Sequence, residues 1–229
     1  MGNRSRRREG EPRSATRVVV GAVAVVVIAA AAVAIGASVG SDTPAGAPSA
    51  TDGGITGEFQ PVTVTGTPLE PRGEGDTDPA AGVEAPTLTG KDFRGREVVI
   101  DPGSDGRPTM LVFLAHWCPH CNREVPRILE LDADGGIPDA VRVVGVATGS
   151  RADQPNWPPS AWLEKMGWKW ERMADSETAD AFMAYGGSSY PTMVFVKADG
   201  TVQNRVSGEQ GVVALRGLVN GLMEGAASA

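Results

Sequence analysis

The chain has 229 residues, 41% of them hydrophobic, which suits one globular domain plus appendages. Its net charge of −7 is uneven: residues 1–39 hold six Arg against two Glu, leaving −11 on residues 40–229, and so acidic a body argues against a nucleic-acid partner. Both cysteines and both histidines fall within one six-residue stretch, His116 to Cys121.

In chain order, residues 1–17 form a basic segment, followed from Val18 to Val39 by "VVVGAVAVVVIAAAAVAIGASV", 22 residues without a charge. As a helix this run spans ~30 Å, the thickness of a bilayer's hydrocarbon core. Arg4, Arg6, Arg7, Arg8, Arg13 and Arg17 precede it and the next cation is Arg72, so the positive-inside rule keeps the N-terminus cytoplasmic and the rest of the chain outside. The expectation is a single-pass protein of the cell membrane, held in the lipid bilayer by residues 18–39. The competing reading is secretion after signal cleavage, although signal peptides usually carry an apolar stretch of only ~7–15 residues. Arg6-Arg7 is a poor twin-arginine signal because Arg8 and Glu9 follow. The absence of a cysteine before Cys118 excludes a lipoprotein.

Residues 40–57, rich in Gly, Ala, Ser, Thr and Pro, read as a flexible linker. The folded domain is expected over 58–229, with its core at about 85–224. Val62 and Val64 alternate with Thr63 and Thr65, as an edge strand or as linker. Short apolar runs predict strands at 97–100, 109–115, 141–147, 192–196 and 201–206. Helices are expected from Pro119 to the Gly135-Gly136 stop, from Ser160 to Met166, from an Asp175 cap to Tyr185, and from Glu209 to Met223. Strands alternating with helices, ending in a hairpin, give an α/β class with a central mixed sheet flanked by helices.

Cys118-Pro119-His120-Cys121 stands where a strand hands over to a helix. The first cysteine lies at the helix N-terminus, where unpaired N–H groups and the dipole favour a thiolate, the nucleophile of disulfide exchange. Cys121, one turn on, can close a disulfide, and His120 is expected to stabilise the thiolate further. Four zinc ligands within six residues cannot readily wrap one ion. Haem attachment needs His directly after the second cysteine, where Asn122 stands. A structural disulfide closing so small a ring removes little chain entropy. Redox chemistry is the remaining reading.

"MLVFLAHWCPHCNREVPRI" resembles the active-site strand and helix of the thioredoxin superfamily. It is most similar to TlpA-like membrane-anchored thiol-disulfide oxidoreductases, which place Trp before the cysteine pair and Glu and Pro after it, here Trp117, Glu124 and Pro126. "SYPTMVFVKADGTV" resembles the family's second signature, in which a cis proline faces the cysteines. The resemblance implies a thioredoxin-like fold and attack by Cys118, resolution by Cys121 and substrate contacts at Tyr190 and Pro191. It also implies Trp117 and Pro119 beside the thiolate and no cofactor beyond the redox-active disulfide. Implied partners are extracytoplasmic thiol or disulfide proteins, including apocytochrome c, and a membrane electron donor or oxidant.

Two departures stand out. Thioredoxins usually keep a buried acid six residues before the first cysteine, where this chain has Val112, so Glu124 or water must handle the proton. The Pro-His dipeptide resembles DsbA-type oxidases although the scaffold resembles TlpA-like reductases, so the direction of electron flow stays open. Other classes are a binding or chaperone module with incidental cysteines, and a peroxiredoxin-type peroxidase, the latter disfavoured by Ala115 where a catalytic Thr is expected. Trp157, Trp162, Trp168 and Trp170 suit core packing or an apolar lip for a partner. Glu124 also suits a plain helix-dipole partner, and His116 is expected to cap a helix or face solvent.

Overall fold

The computed structural model of the protein describes residues 57–73 and 77–226. The basic segment 1–17, the expected membrane span 18–39 and nearly all of the linker lie outside the described residues. Among the described residues no helix is long and apolar enough to cross a membrane.

Eight strands form one mixed sheet: β1 (Thr63–Thr65), β2 (Thr87–Lys91), β3 (Glu97–Ile100), β4 (Thr109–Leu114), β5 (Arg142–Ala147), β6 (Glu171–Ala174), β7 (Thr192–Val196) and β8 (Val202–Ser207). Their order is β1-β2-β6-β5-β4-β7-β8, with β3 paired to β2. β4, β5 and β6 run parallel, while β7 and β8 are antiparallel additions beside β4. Four helices accompany the sheet among the described residues: α1 (Pro119–Ala133), α2 (Pro159–Lys165), α3 (Asp180–Ala184) and α4 (Val212–Ala226). This is the architecture expected of a thioredoxin-like fold.

All six residues of β4 are buried, as a central strand covered on both faces requires. Alternate side chains serve two cores. Met110, Val112 and Leu114 pack with Val125, Ile128 and Leu131 of α1 and Leu215, Val219 and Leu222 of α4. Leu111 and Phe113 face the opposite side, against Leu88, Ile100, Phe182 and Tyr185. Each large apolar side chain so buried contributes about 1.5–3 kcal/mol. α1 keeps its apolar stripe despite Pro126, which has no N–H for the carbonyl four residues back.

The alternation at 62–65 resolves as an edge strand, with Thr63, Val64 and Thr65 paired to Thr89, Leu88 and Thr87. The chain before it is also engaged, because the Glu58 carboxylate accepts from Ser160 N–H at 2.9 Å and Ser160 Oγ at 2.6 Å at the start of α2. β2 itself was not among the expected strands. It carries Gly90, where any Cβ would lie 3.1 Å from the Met173 sulfur of β6. α3 starts later than expected, and Ala179, not Asp175, is its N-cap; the Asp175 carboxylate nevertheless reaches into its first turn, accepting from Ala181 N–H at 2.9 Å and Phe182 N–H at 3.2 Å.

Candidate active site

β4 runs into the loop at the carboxyl ends of the parallel strands, where open α/β sheets leave space for a site. Cys118 is the N-cap of α1, Pro119 occupies the first turn, and the cysteine carbonyl accepts the N–H of Asn122 at 3.1 Å. The Cys118 side chain caps nothing. Its Sγ instead lies 3.6 Å from the carbonyl oxygen of Tyr190, in hydrogen-bond contact. Both cysteines are free thiols, Cys118 5% exposed and Cys121 fully buried. Burial pushes the Cys121 thiol far above the ordinary range, and the neighbouring Cys118 and Glu124 add to the effect. The pair is thus asymmetric: Cys118 is buried but keeps a slight exposure, whereas Cys121 has none and is held protonated.

Tyr190-Pro191 is a cis peptide, as the second signature implies. Tyr190 packs edge-on to Trp117 at 5.9 Å and against Phe182 at 4.7 Å between ring centroids. Trp117 is fixed in turn by its Nε1–H, which donates to Gly149 O at 2.8 Å. Trp117 and Tyr190-Pro191 therefore come together at Cys118 although 72 residues separate Cys118 from Tyr190.

Val112 sits fully buried in the apolar cluster that contains both cysteines, so β4 offers no acid there. Glu124 supplies a buried carboxylate from the helix. Its Oε2 accepts Gln210 N–H at 2.9 Å and Arg127 Nη1–H at 3.2 Å, whereas buried Oε1 has no hydrogen-bond partner among the described residues. Burial pushes the Glu124 carboxyl up, against the opposing pull of those two donors.

The two histidines part company. His120 is more than half exposed and directs Nδ1 to Glu209 Oε1 at 2.6 Å. His116 is fully buried, so it does not face solvent. Its Nε2 accepts the N–H of Arg151 at 3.1 Å and its Nδ1 contacts Pro155 O at 2.8 Å, which requires the neutral tautomer with the proton on Nδ1. The ring is a pin for the loop 149–157, and Trp157 packs on it edge-on at 5.8 Å. The tryptophans divide as well: Trp162 and Trp168 are core residues, while Trp157, packed at a tilt against Phe59, is partly exposed. Glu209, Arg123, Arg127, Gln210 and Gly149 were not singled out in the sequence. Their pairing partners lie up to 89 residues away, which no local pattern reports.

Among the described residues no group of three or more His, Cys, Asp or Glu is placed to hold a metal ion. The soluble secreted antigen MPT53 of Mycobacterium tuberculosis is 32% identical over 117 residues, covering 51% of this chain and 60% of MPT53. This chain thus spans about 60% of the length of the curated relatives it matches. A secreted M. tuberculosis disulfide oxidoreductase described as homologous to E. coli DsbE is 29% identical, covering 58% of this chain and 95% of its own, with a TM-score of 0.48. The solution structure of a putative thioredoxin from Neisseria meningitidis superposes with a TM-score of 0.52 at 22% identity, over 63% of this chain and 93% of its own, and so shares the fold. The AhpC/TSA family matches residues 81–205, more than half of the sequence and the whole span from Cys118 to Pro191, and the chain belongs to that family.

Proposed function

We propose that the protein is a thiol-disulfide oxidoreductase acting on extracytoplasmic proteins through Cys118 and Cys121. The observation that carries the reading is the asymmetry of the pair: Cys118, slightly exposed, with its Sγ against the Tyr190 carbonyl, and Cys121 fully buried and protonated. In the reducing direction the Cys118 thiolate attacks one sulfur of a substrate disulfide, forming a mixed disulfide and releasing one substrate thiolate. Cys121 then loses its proton and attacks Cys118 Sγ. The second substrate thiol leaves, and the protein holds the Cys118–Cys121 disulfide. Run backwards, the same steps oxidise a dithiol substrate. Tyr190 and Pro191 present backbone to an extended substrate segment, Trp117 walls the site, and Glu124 takes the Cys121 proton on its unpartnered oxygen.

The TlpA-like scaffold favours a reductase, with apocytochrome c thiols among its substrates and a membrane thiol system as electron donor. The oxidase alternative rests on Pro119-His120, and the bond from His120 to Glu209 weakens it by occupying the imidazole. Residues 18–39 anchor the protein with its catalytic domain outside the cytoplasm; the alternative is release after cleavage, as the word secreted in the name of the relative MPT53 suggests. A peroxiredoxin-type peroxidase is disfavoured, because Ala115 provides no hydroxyl three residues before Cys118.

The test is an insulin-reduction and dithiol-oxidation assay. Cys118→Ser is expected to lose exchange altogether, and Cys121→Ser to accumulate covalent mixed disulfides. Exchange at the normal rate in Cys118→Ser defeats the reading, as does unimpaired cellular function of the doubly substituted protein, which would favour a chaperone role. Rapid peroxide consumption would instead revive the peroxidase.

A further inference from the structure

His120, Arg123 and Arg127 follow one another at helical spacing and share one face of α1. All three converge on a single side chain from the segment between β8 and α4. Glu209 Oε1 lies 2.6 Å from His120 Nδ1 and accepts Arg123 Nη2–H at 2.5 Å and Nε–H at 2.8 Å, while Oε2 accepts Arg127 Nη1–H at 2.8 Å. Arg123 first, then His120, hold the Glu209 carboxyl at about 2, so its charge is permanent at neutral pH.

The electrostatic neighbourhood of Cys118 is short. From α1 come His120, Arg123, Glu124, Arg127 and the Cys121 thiol, from the β8–α4 segment Glu209, and from the loop before β7 the uncharged Tyr190. Arg123 stands close enough to Cys118 for the two to interact. Nearby cations stabilise a thiolate, which stabilises the dithiol and makes the disulfide a stronger oxidant. Each basic side chain here is bonded to the Glu209 carboxylate.

We infer that Glu209 is a positioning residue that holds the Cys118–Cys121 couple toward the reducing side by drawing His120, Arg123 and Arg127 onto its own carboxylate and cancelling their field at the Cys118 sulfur. The inference rests on the exchange reading above and deepens it, because it bears on the direction of electron flow. The couple concerned is balanced against glutathione: protein dithiol plus glutathione disulfide gives protein disulfide plus two glutathione thiols, two electrons and two protons moving together.

Glu209→Gln keeps the shape and removes the charge. It is expected to lower the pH at which Cys118 becomes reactive toward iodoacetamide, and to shift the glutathione equilibrium about tenfold toward the dithiol, ~30 mV more oxidising. Adding His120→Ala to that variant should reverse part of the shift, and Glu209→Asp, which restores the charge, should return most of it. An unchanged or more reducing couple in Glu209→Gln overturns the inference. So does an equal shift in Glu209→Asp, which would point to a loosened segment instead. If the wild-type protein exchanged no disulfides, the exchange reading would fall, while the alkylation profile of Cys118 would still support or overturn the link to Glu209.

Discussion

The hydroxyl of Tyr190 closes over Gly149 so tightly that a Cβ on that glycine would lie 2.4 Å from it. The carbonyl of Gly149 meanwhile fixes Trp117, and the carbonyl of Tyr190 meets Cys118 Sγ. Two walls of the site therefore register on one residue without a side chain. Gly149 also has φ +54°, in the left-handed region where an L side chain costs about 1–2 kcal/mol. Gly149→Ala is expected to lower the melting temperature by a few degrees and to slow exchange by tenfold or more, because Tyr190 must move. Kinetics equal to wild type in a protein that melts earlier would show that Tyr190 does not set the site.

In the proposed exchange mechanism Glu124 links burial to proton transfer. Its carboxyl is raised by burial, so its native state binds a proton more tightly than its unfolded state does. Stability from this group is complete below about 4.5, the unfolded value, and is lost as pH rises through the higher folded value. Glu124→Gln is expected to remove that loss, and thermal melts against pH will show it as a flatter curve. The same substitution should slow release of a mixed disulfide by Cys121 about 10²-fold, leaving the first attack by Cys118 nearly unchanged. Stopped-flow traces with equal second phases would reduce Glu124 to a structural role.

Farther from the sulfurs, Asp78 and Arg205 form a buried ion pair, with Arg205 Nη2 2.6 Å from Asp78 Oδ1 and Arg205 Nη1–H donating to Tyr185 O at 2.8 Å. Arg205 is 1% exposed. Asp78→Ala leaves an uncompensated buried guanidinium and is expected to destabilise the fold by about 3–5 kcal/mol. The double replacement of Asp78 by Ala and Arg205 by Leu should recover much of that loss. Chemical denaturation measures both, and a mild effect of Asp78→Ala alone would mean that water reaches Arg205.

Much of this molecule was legible from sequence where one local pattern decided the outcome. β3 and β7 occupy the expected ranges, and α1 begins at Pro119 and ends just before Gly135 because capping chemistry is local. The cis Tyr190-Pro191 bond and its place beside Cys118 followed from a second signature far down the chain. β2 escaped because Gly90 and Lys91 dilute its pattern, and its support comes from the strands β1 and β3 that pair with it on either side. α4 starts at Val212, not Glu209, because Glu209 and Gln210 turn their polar groups to α1. His116 and His120 have the same ring, and only tertiary contacts assign one to a loop and the other to Glu209.

His116 gives the remaining prediction. Burial lowers its pKa below the usual 6.5, more than the Pro155 carbonyl and the charge of Glu58 raise it. A proton on Nε2 would face the Arg151 N–H that this nitrogen now accepts, so the native loop tolerates only the neutral ring. Stability from this residue is complete above pH ~6.5 and falls as pH drops from there toward the lowered folded value, at up to about 1.4 kcal/mol per pH unit. His116→Phe keeps the ring shape and removes both nitrogens. It is expected to be less stable at pH 8, since Arg151 N–H and Pro155 O lose their partner, but to show a shallower decline between pH 6.5 and 5. Faster proteolytic nicking between Arg151 and Trp157 should accompany it, because the ring pins that loop. An identical acid limb in the variant would place the sensitivity in another group, and unaltered nicking would show that the loop is held by Trp157 and Asn156 without the imidazole.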